Sequence, residues 1–375
     1  MQITRVYAVP VRVPTRRPLR SALGAQETCE FAIVAVEADD GTQGIGEISL
    51  IWHGNGARLA ADVNDLVAPR LVGADPFALT QAMSAVDDVF RFGRHSLTAR
   101  AAVEMALLDL QGKLCGRRVV DLLGGVCVPR LPLSMSLSIA ELPDLLGQAR
   151  DYIAAGIRAV KVKGGRDLEY LEAAVSALRR EFGAELAIRV DLNMSCATAA
   201  EALRIARRLE RFDIVALEQP LPPADLSGHS WLRHKTDIPI MLDESVWSIE
   251  DCWQAVRERA ADFVNVYVSE AGGLRAAGQL GALCRLAGVG IAVGSMPELG
   301  TGTAAAIHFA FSQPGLSMPS DLAGFCYYDD DVVSHDLRVE DGYVYAPRSA
   351  GLGVELDENR LRHYAAPCPA RRAGA

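Results

Sequence analysis

The spacing of apolar and polar residues divides the chain into two regions. In the first region, apolar and polar residues alternate over residues 2–13, 29–38 and 43–49. Alternation predicts strands, because successive side chains of a strand face opposite sides. Helical spacing follows over residues 57–69, 76–90 and 96–115. We expect the last helix to end at Gly116, and strands followed by separate helices predict an α+β unit.

The second region, from residue 126 onward, alternates short apolar runs with amphipathic helices as far as residue 294. This order predicts a parallel sheet, because each helix returns the chain to start the next strand in the same direction. The predicted strand ends lie 24 to 28 residues apart, at Lys163, Asp191, Glu218, Asp243, Tyr267 and Gly294. Six or more such units favour a closed (β/α)8 barrel of the TIM type, with an open doubly wound sheet as the alternative.

Composition excludes several classes of protein. The 375 residues are 50% hydrophobic and 23% charged, with a formal net charge of −9. These values exclude wholesale disorder and argue against a nucleic-acid binder or a protein held on anionic lipid. The sequence shows no predicted membrane span, no secretory signal and no C-x-x-C pair among its eight cysteines. We therefore expect a cytoplasmic protein without nucleic-acid or membrane partners.

Three successive predicted strands end in a carboxylate, at Asp191, Glu218 and Asp243. A helix N-cap would explain any one of them, but three on adjacent barrel strands converge on one point. Three uncompensated anions would repel each other, so we expect a cation between them. All-oxygen ligation selects a hard ion, which predicts Mg²⁺, with Mn²⁺ as a substitute.

The strand before these three ends in A-V-K-V-K-G-G and carries two lysines, Lys161 and Lys163. The two-residue period of a strand places both side chains on one face, toward the mouth of the barrel. A lysine on a strand is usually solvated at a sheet edge, but a central barrel strand offers little such surface. Two ammonium groups beside a divalent cation lower each other's pKa, which would let one act as a base near neutral pH.

These residues resemble the enolase superfamily and, within it, the muconate lactonizing enzyme subgroup of the mandelate racemase / muconate lactonizing enzyme family. The matching motifs in chain order are G-I-G-E at 44–47, L-L-G-G at 122–125, K-V-K at 161–163, D-L-N at 191–193, E-Q-P at 218–220, D-E-S at 243–245 and A-G-G at 271–273, together with Asn265. With the strand spacing, the resemblance implies three parts: an α+β capping domain over 1–125, a modified (β/α)8 barrel over 126–322, and a segment over 323–375 that returns to the cap and ends in a frayed tail.

The resemblance also implies a reaction. Asp191, Glu218 and Asp243 would hold Mg²⁺, and Lys163 would abstract the proton α to a carboxylate. The metal ion and the Lys161 ammonium would stabilise the enediolate as it forms, because that proton is too weakly acidic for a free lysine.

The sequence departs from the subgroup on the sixth barrel strand. Most members carry a second lysine there, where this chain has Tyr267. A racemase needs acid/base groups on both faces, and tyrosine is a poor base at neutral pH although it can donate a proton. One-base reactions are therefore favoured, such as a β-elimination assisted by Tyr267 or a lactonising cycloisomerisation. The alternative is that Tyr267 only fills space.

Further residues are expected around the substrate: Asn193, Asp321, Ser295, Glu298, Trp52 and His53. Asp321 resembles the amine-binding aspartates of the family's amino-acid epimerases, although a helix cap explains it equally well. We expect capping-domain loops at 14–24 and around Trp52 and His53 to close over the site. Arg17, Arg20 and His53 could meet polar substrate groups, although such residues in loops are typically solvated.

The leading hypothesis is a Mg²⁺-dependent lyase, a dehydratase of a small hydroxylated amino acid such as cis-3-hydroxy-L-proline. The alternatives are an isomerase, meaning a racemase or epimerase of an amino acid or proline betaine or a cycloisomerase, and a barrel that lost activity with its sixth-strand lysine. We expect a small-molecule carboxylate as substrate and a homo-oligomeric assembly.

Overall fold

The N-terminal part of the chain is a three-stranded antiparallel sheet backed by helices, in a computed structural model that describes residues 1–52, 54, 56–90, 93–165, 167–316 and 318–367. Its strands are β1 (Ile3–Ser21), β2 (Gly24–Ala38) and β3 (Gln43–Ser49). Its helices are α1 (Gly56–Asp62), α2 (Ala68–Leu71), α3 (Leu79–Phe90), α4 (Leu97–Cys115) and α5 (Val119–Leu122), with a π-helical turn over Val63–Val67. Gly116 ends α4 in the left-handed conformation (φ 62°), which confirms the predicted end of that helix.

The segment 14–24, expected to be a loop, is mostly strand. Leu19, Arg20 and Ser21 pair with residues 24–26 of β2, after a shift of register that begins at Pro14. The prediction was wrong because the prolines and arginines of this segment hide the alternation of the strand. The hairpin is also tied to the barrel, since the backbone N–H of Ile139 donates to the carbonyl of Arg20 at 3.2 Å.

Seven parallel strands follow, and each pairs with the next along the chain. They are β5 (Ser134–Leu137), β6 (Ala159–Lys163), β7 (Ala187–Asp191), β8 (Ala216–Glu218), β9 (Ile240–Leu242), β10 (Phe263–Val266) and β11 (Gly290–Val293), preceded by the short β4 (Leu131–Pro132). The helices between and after them are α6 (Leu142–Ala154), α7 (Leu168–Phe182), α8 (Ala199–Leu209), α9 (Leu226–Arg233), α10 (Ile249–Arg257), α11 (Leu274–Ala287) and α12 (Gly300–Ser312).

Residues 320 and 321 close the sheet where an eighth strand would lie. The backbone N–H of Ser134 donates to the Ser320 carbonyl at 2.9 Å, and the N–H of Asp321 donates to the Val293 carbonyl at 2.8 Å. These bonds join the first parallel strand to the last. The structure therefore confirms a modified (β/α) barrel with a separate capping domain, and the open-sheet alternative is wrong.

The C-terminal segment runs back to the capping domain. It contains β12 (Val333–His335), β13 (Arg338–Glu340), β14 (Tyr343–Tyr345), β15 (Val354–Leu356) and α13 (Glu358–Tyr364). The backbone N–H of Ala366 donates to the Pro10 carbonyl at 2.8 Å. The predicted frayed tail concerns residues 368–375, which lie outside the described residues, and the exact domain boundaries stay a prediction. Across the part of the chain that the structure describes, every helix is too short or too polar to cross a bilayer.

Glu47 of the G-I-G-E motif joins the capping domain to the barrel. Its fully buried carboxylate accepts hydrogen bonds from the backbone N–H groups of Leu299 (2.9 Å) and Gly302 (2.8 Å), at the start of α12. These N–H groups have no partner within the helix, so the carboxylate caps α12 from the other domain. Burial raises the pKa of Glu47 to about 8, although its hydrogen bonds oppose the rise.

His308 makes a second contact between α12 and the capping domain. Its ring is fully buried, and Nδ1 accepts a hydrogen bond from the backbone N–H of Val120 at 3.0 Å. This bond requires a neutral ring. Burial lowers the pKa of His308 to about 4, helped by the charge of Arg118 and opposed by Asp336 and Asp121.

We predict that His308 makes the protein less stable as the pH falls from about 6.5 toward about 4. The unfolded chain takes up a proton on His308 over this range and the folded chain does not, so proton uptake lowers the free energy of the unfolded state relative to the folded state. His308→Asn keeps an acceptor but cannot titrate. The unfolding free energy of the variant relative to the native protein, measured in urea, should rise by about 2 kcal/mol between pH 7 and pH 5. A difference that does not change with pH would contradict this.

Candidate active site

Three carboxylates converge at the carboxyl ends of neighbouring barrel strands. Asp191 ends β7, Glu218 ends β8 and Asp243 directly follows β9. Asp191 and Glu218 are partners in the register of the sheet. All three residues are buried, and each offers an oxygen within 4.8 Å of the others. The spacing of the strand ends therefore predicted this cluster correctly.

The donor set of the cluster suits a divalent metal ion. Burial and the nearby Glu218 carboxylate raise the pKa of Asp191, while burial and Glu244 raise the pKa of Asp243 to about 6. Both carboxylates are therefore buried beside another anion. Buried carboxylate oxygens at this spacing are the ligands that a hard divalent ion prefers, so these three residues could hold one.

Unusual backbone conformations follow two of these carboxylates. Asn193 (φ 40°) and Gln219 (φ 35°) lie in the left-handed region, which is uncommon for residues other than glycine. The Gln219 side chain accepts hydrogen bonds from the backbone N–H groups of Asp243 (2.8 Å) and Ser245 (3.2 Å). The glutamine of E-Q-P thus fixes the backbone of D-E-S on the next strand. Strain of this kind is typical of functional sites.

Lys161 is buried among acids. Its Nζ lies 2.8 Å from Asp321, 3.4 Å from Glu218 and 3.9 Å from Asp191. Burial acts to lower the pKa of Lys161, but Asp321 and Glu218 outweigh it and raise the pKa above its ordinary value. The sequence predicted that Lys163 and a metal ion would lower this pKa, but the acids around Lys161 act in the opposite direction. Lys161 therefore remains a cation.

Lys163 is the more accessible of the two lysines. Its Nζ lies 2.6 Å from Asp191 Oδ2 and 3.3 Å from Asn193 Oδ1. Both ammonium groups approach the same oxygen of Asp191, so both lie on one face of β6. Lys163 faces the open pocket, where it can meet a substrate.

Sequence reasoning missed Arg189. Its guanidinium, 3% exposed, lies 3.1 Å from Glu218 and donates to both oxygens of Asp321 at 2.7 and 2.8 Å. Burial acts to raise the pKa of Asp321, but Arg189 and Lys161 outweigh it and lower the pKa. The proposed amine ligand, Asp321, therefore already faces two cations. The spacing R-V-D repeats that of K-V-K and could have indicated that Arg189 and Asp191 share a face.

Tyr267 follows the sixth parallel strand, β10, and its hydroxyl has a specific partner. It donates to Asp243 Oδ2 at 2.8 Å, and Asn265 donates to the same hydroxyl at 3.2 Å. Burial and the charges of Asp243 and Glu218 raise the pKa of Tyr267 well above its ordinary value. Gly294 makes room for the ring, because a Cβ there would lie 2.3 Å from Tyr267 Cζ. The tyrosine is thus protonated and orients a carboxylate of the cluster.

A pocket opens above these residues, with about 1140 Å³ of space when the solvent at its mouth is included. Of the predicted substrate-binding residues, Trp52, Asn193, Ser295 and Asp321 line it. Arg20 also lines the pocket, on the hairpin of the capping domain.

Three other predicted residues have different positions. Glu298 is buried outside the pocket lining and accepts a hydrogen bond from the Ser295 hydroxyl. Arg17 is exposed and pairs with Asp151 at 3.3 Å. His53 lies outside the described residues.

Two further carboxylates of the pocket lining, Glu244 and Glu270, were not among the predicted site residues, although Glu244 is part of the D-E-S motif. Asn193 donates to Glu244 at 3.0 Å, and burial together with the charge of Asp191 raises the pKa of Glu244 to about 7. Glu270 follows β10 in a turn, and burial raises its pKa well above the ordinary value. Neither belongs to the three-carboxylate cluster.

Comparison with known proteins agrees with the two-domain fold. Residues 3–124 match the mandelate racemase / muconate lactonizing enzyme N-terminal domain, and residues 144–360 match the enolase C-terminal domain-like family. A chloromuconate cycloisomerase of Cupriavidus necator is 30% identical over 375 residues, which cover 97% of this chain and 99% of the relative. An N-succinyl-L-Arg/Lys racemase of Bacillus cereus is 29% identical over 365 residues, which cover 96% and 97%.

The fold comparison gives the same result. The crystal structure of muconate lactonizing enzyme from Pseudomonas fluorescens complexed with muconolactone superimposes with a TM-score of 0.91 at 30% identity, covering 97% of this chain and 99% of that one. The comparison thus accounts for the capping domain and the barrel together. The chain belongs to the mandelate racemase / muconate lactonizing enzyme family of the enolase superfamily.

Proposed function

We propose that the chain is a Mg²⁺-dependent enzyme in which Lys163 alone moves the proton α to a substrate carboxylate. The observation that carries this proposal is the small number of lysines in the chain that could act as bases in the pocket. The whole chain has four lysines, at positions 113, 161, 163 and 235. Lys113 pairs with Asp109 in the capping domain at 2.9 Å, and Lys235 is exposed after α9. No lysine is therefore left for the face opposite Lys163.

Neither a histidine nor Tyr267 replaces that lysine opposite Lys163. The described residues of the pocket lining include no histidine. Tyr267 directs its proton to Asp243. The arrangement supports chemistry in which one side chain both takes the proton and returns it.

The remaining residues of the site would stabilise the negative charge that develops on the substrate and orient Lys163. A Mg²⁺ ion held by Asp191, Glu218 and Asp243 would supply Lewis-acid stabilisation of the substrate carboxylate. Lys161, kept cationic by Asp321 and Glu218, adds a fixed positive charge at the same place. Asp191 and Asn193 orient the Lys163 ammonium.

We infer that the reaction is an elimination of water from a small β-hydroxylated acid, with cis-3-hydroxy-L-proline as the first candidate. Lys163 takes the α-proton, the Cβ–O bond breaks, and the same proton leaves with hydroxide as water. A cycloisomerisation is the second candidate, because it also needs one proton-transfer group and because cycloisomerases are among the relatives at 30% identity. A racemase or epimerase is less favoured, because it needs groups on both faces.

Lys163→Ala tests the base directly. Loss of the proton-transfer group should lower kcat by about 10²- to 10⁴-fold on a confirmed substrate. It should also abolish the exchange of the α-proton in D₂O, followed by NMR. Lys235→Ala, an exposed lysine, is the matched control and should keep the native rate. Unchanged turnover in Lys163→Ala would overturn the proposal.

Mg²⁺ should stabilise the folded protein through the three carboxylates. An ion at 100 times its Kd adds about 3 kcal/mol to the unfolding free energy, visible as a rise in Tm. Asp243→Asn removes a ligand and should abolish most of that rise. Asp237→Asn, an exposed position, should keep it. An equal response to Mg²⁺ in both variants would show that the ion binds elsewhere.

A substrate panel separates the candidate reactions. With Mg²⁺ in D₂O, we expect cis-3-hydroxy-L-proline to be consumed with loss of water. Conversion of cis,cis-muconate to a lactone would favour the cycloisomerase instead. Deuterium entering the α-position of N-succinyl-L-arginine with inversion would show that protons are transferred at both faces of the substrate. That result would contradict the one-base proposal.

A further inference from the structure

Glu270 is a pocket carboxylate that the proposed reaction does not use. It follows Tyr267 in the turn after β10, lines the pocket and is 1% exposed. Neither of its carboxylate oxygens has a hydrogen-bond partner among the described residues. A buried carboxylate is unfavourable unless it is paired. An unpaired one at the wall of a pocket indicates that its partner arrives with a ligand.

The charges around Glu270 do not satisfy it. Asp243, Glu244 and Glu298 are anions that act on it, and Arg94 is the cation that does so. The Arg94 guanidinium is engaged elsewhere, since it donates to the Glu244 carbonyl at 3.0 Å and lies 3.5 Å from Asp251. It also stacks 4.8 Å from the ring centroid of Trp247. The position beside Glu270 therefore has an excess of negative charge.

The surroundings favour an organic cation over a second metal ion. Glu270 is not part of the carboxylate group close enough to share an ion. Trp247, Tyr267 and Met296 belong to one buried apolar cluster and line the same pocket, with Trp52 packed against them. Aromatic faces attract organic cations and offer no ligand to Mg²⁺.

We propose that Glu270 binds a cationic nitrogen of the substrate. This inference rests on the proposed function, which places the substrate carboxylate at the metal site and Lys161. The substrate would then be a zwitterion, with its carboxylate toward Lys161 and its ammonium toward Glu270. Asp321, the residue that the sequence suggested for this role, already pairs with Arg189 and Lys161.

The same charge disfavours dicarboxylates. A second substrate carboxylate at the aromatic wall would face Glu270 without a counter-charge of its own. Substrate selection would thus differ from that of a relative that acts on a dicarboxylic acid.

The test compares ligands that differ in one charge, by calorimetric titration of the Mg²⁺-loaded protein. The pairs are L-proline with cyclopentanecarboxylate, glycine betaine with 3,3-dimethylbutanoate, and N-succinyl-L-lysine with N-succinyl-L-norleucine. In at least one pair the cationic member should bind about 10- to 100-fold more tightly, the range for a hydrogen-bonded charge.

Substitutions assign that preference to Glu270. Glu270→Gln should remove the preference, while Glu270→Asp should keep part of it. Glu185→Gln, at an exposed position, should behave as the native protein. Glu270→Gln should also unfold at the same temperature or higher, because Glu270 has no hydrogen bond to the described residues that the substitution could remove, whereas a structural role would lower the temperature.

Equal binding within every pair, or no binding by any ligand, overturns the Glu270 subsite, as does a preference that survives in Glu270→Gln. Calorimetry requires no turnover, so the two proposals can fail separately. A charge preference without α-proton exchange would leave the subsite standing and refute the reaction. Lys163-dependent exchange without a charge preference would do the reverse.

Discussion

The mutual repulsion of three buried carboxylates is the constraint around which the site is organised. Two of them have a protein cation of their own, since Asp191 faces Lys163 at 2.6 Å and Glu218 faces Arg189 at 3.1 Å. Asp243 has neutral donors instead, the Tyr267 hydroxyl and the Asn265 amide. Burial and the charge of Glu244 raise its pKa. A metal ion would therefore contribute most beside Asp243, the carboxylate that the protein compensates least.

The capping domain covers the pocket and also fixes the position of its walls. Glu47 caps the first turn of α12, and the loop that leads into this helix carries Ser295 and Met296 of the pocket lining. On the other side, Arg20 reaches the pocket from a hairpin bonded to the loop after β5. Since contacts from the capping domain fix both walls, the shape of the pocket depends on the docking of the two domains. The charges at its floor come from barrel strands alone.

The sequence predicted the features that depend on local periodicity. Alternating strands and helices gave the barrel, and carboxylates at successive strand ends gave the cluster, because parallel strands bring their ends together. Features that depend on distant pairing were missed. Arg189 meets Asp321, 132 residues further along the chain, and no local pattern connects them. The strand within residues 14–24 forms by pairing with β2, although the sequence of this segment lacks alternation. Glu270 lies in a turn, where spacing says nothing about burial.

The residues after β10 make the two walls of the pocket differ in charge. Lys161, Lys163 and Arg189 place three positive charges on the second and third parallel strands. A lysine at position 267 would add a positive charge on the far side, but Tyr267 is neutral and Glu270 is acidic. The far wall is therefore neutral to negative, with Arg94 held away in its own contacts. The described lining of this wall includes neither a lysine nor a histidine, and its acid attracts a cation. The proposed one-base reaction and the proposed preference for a zwitterion thus have one electrostatic origin.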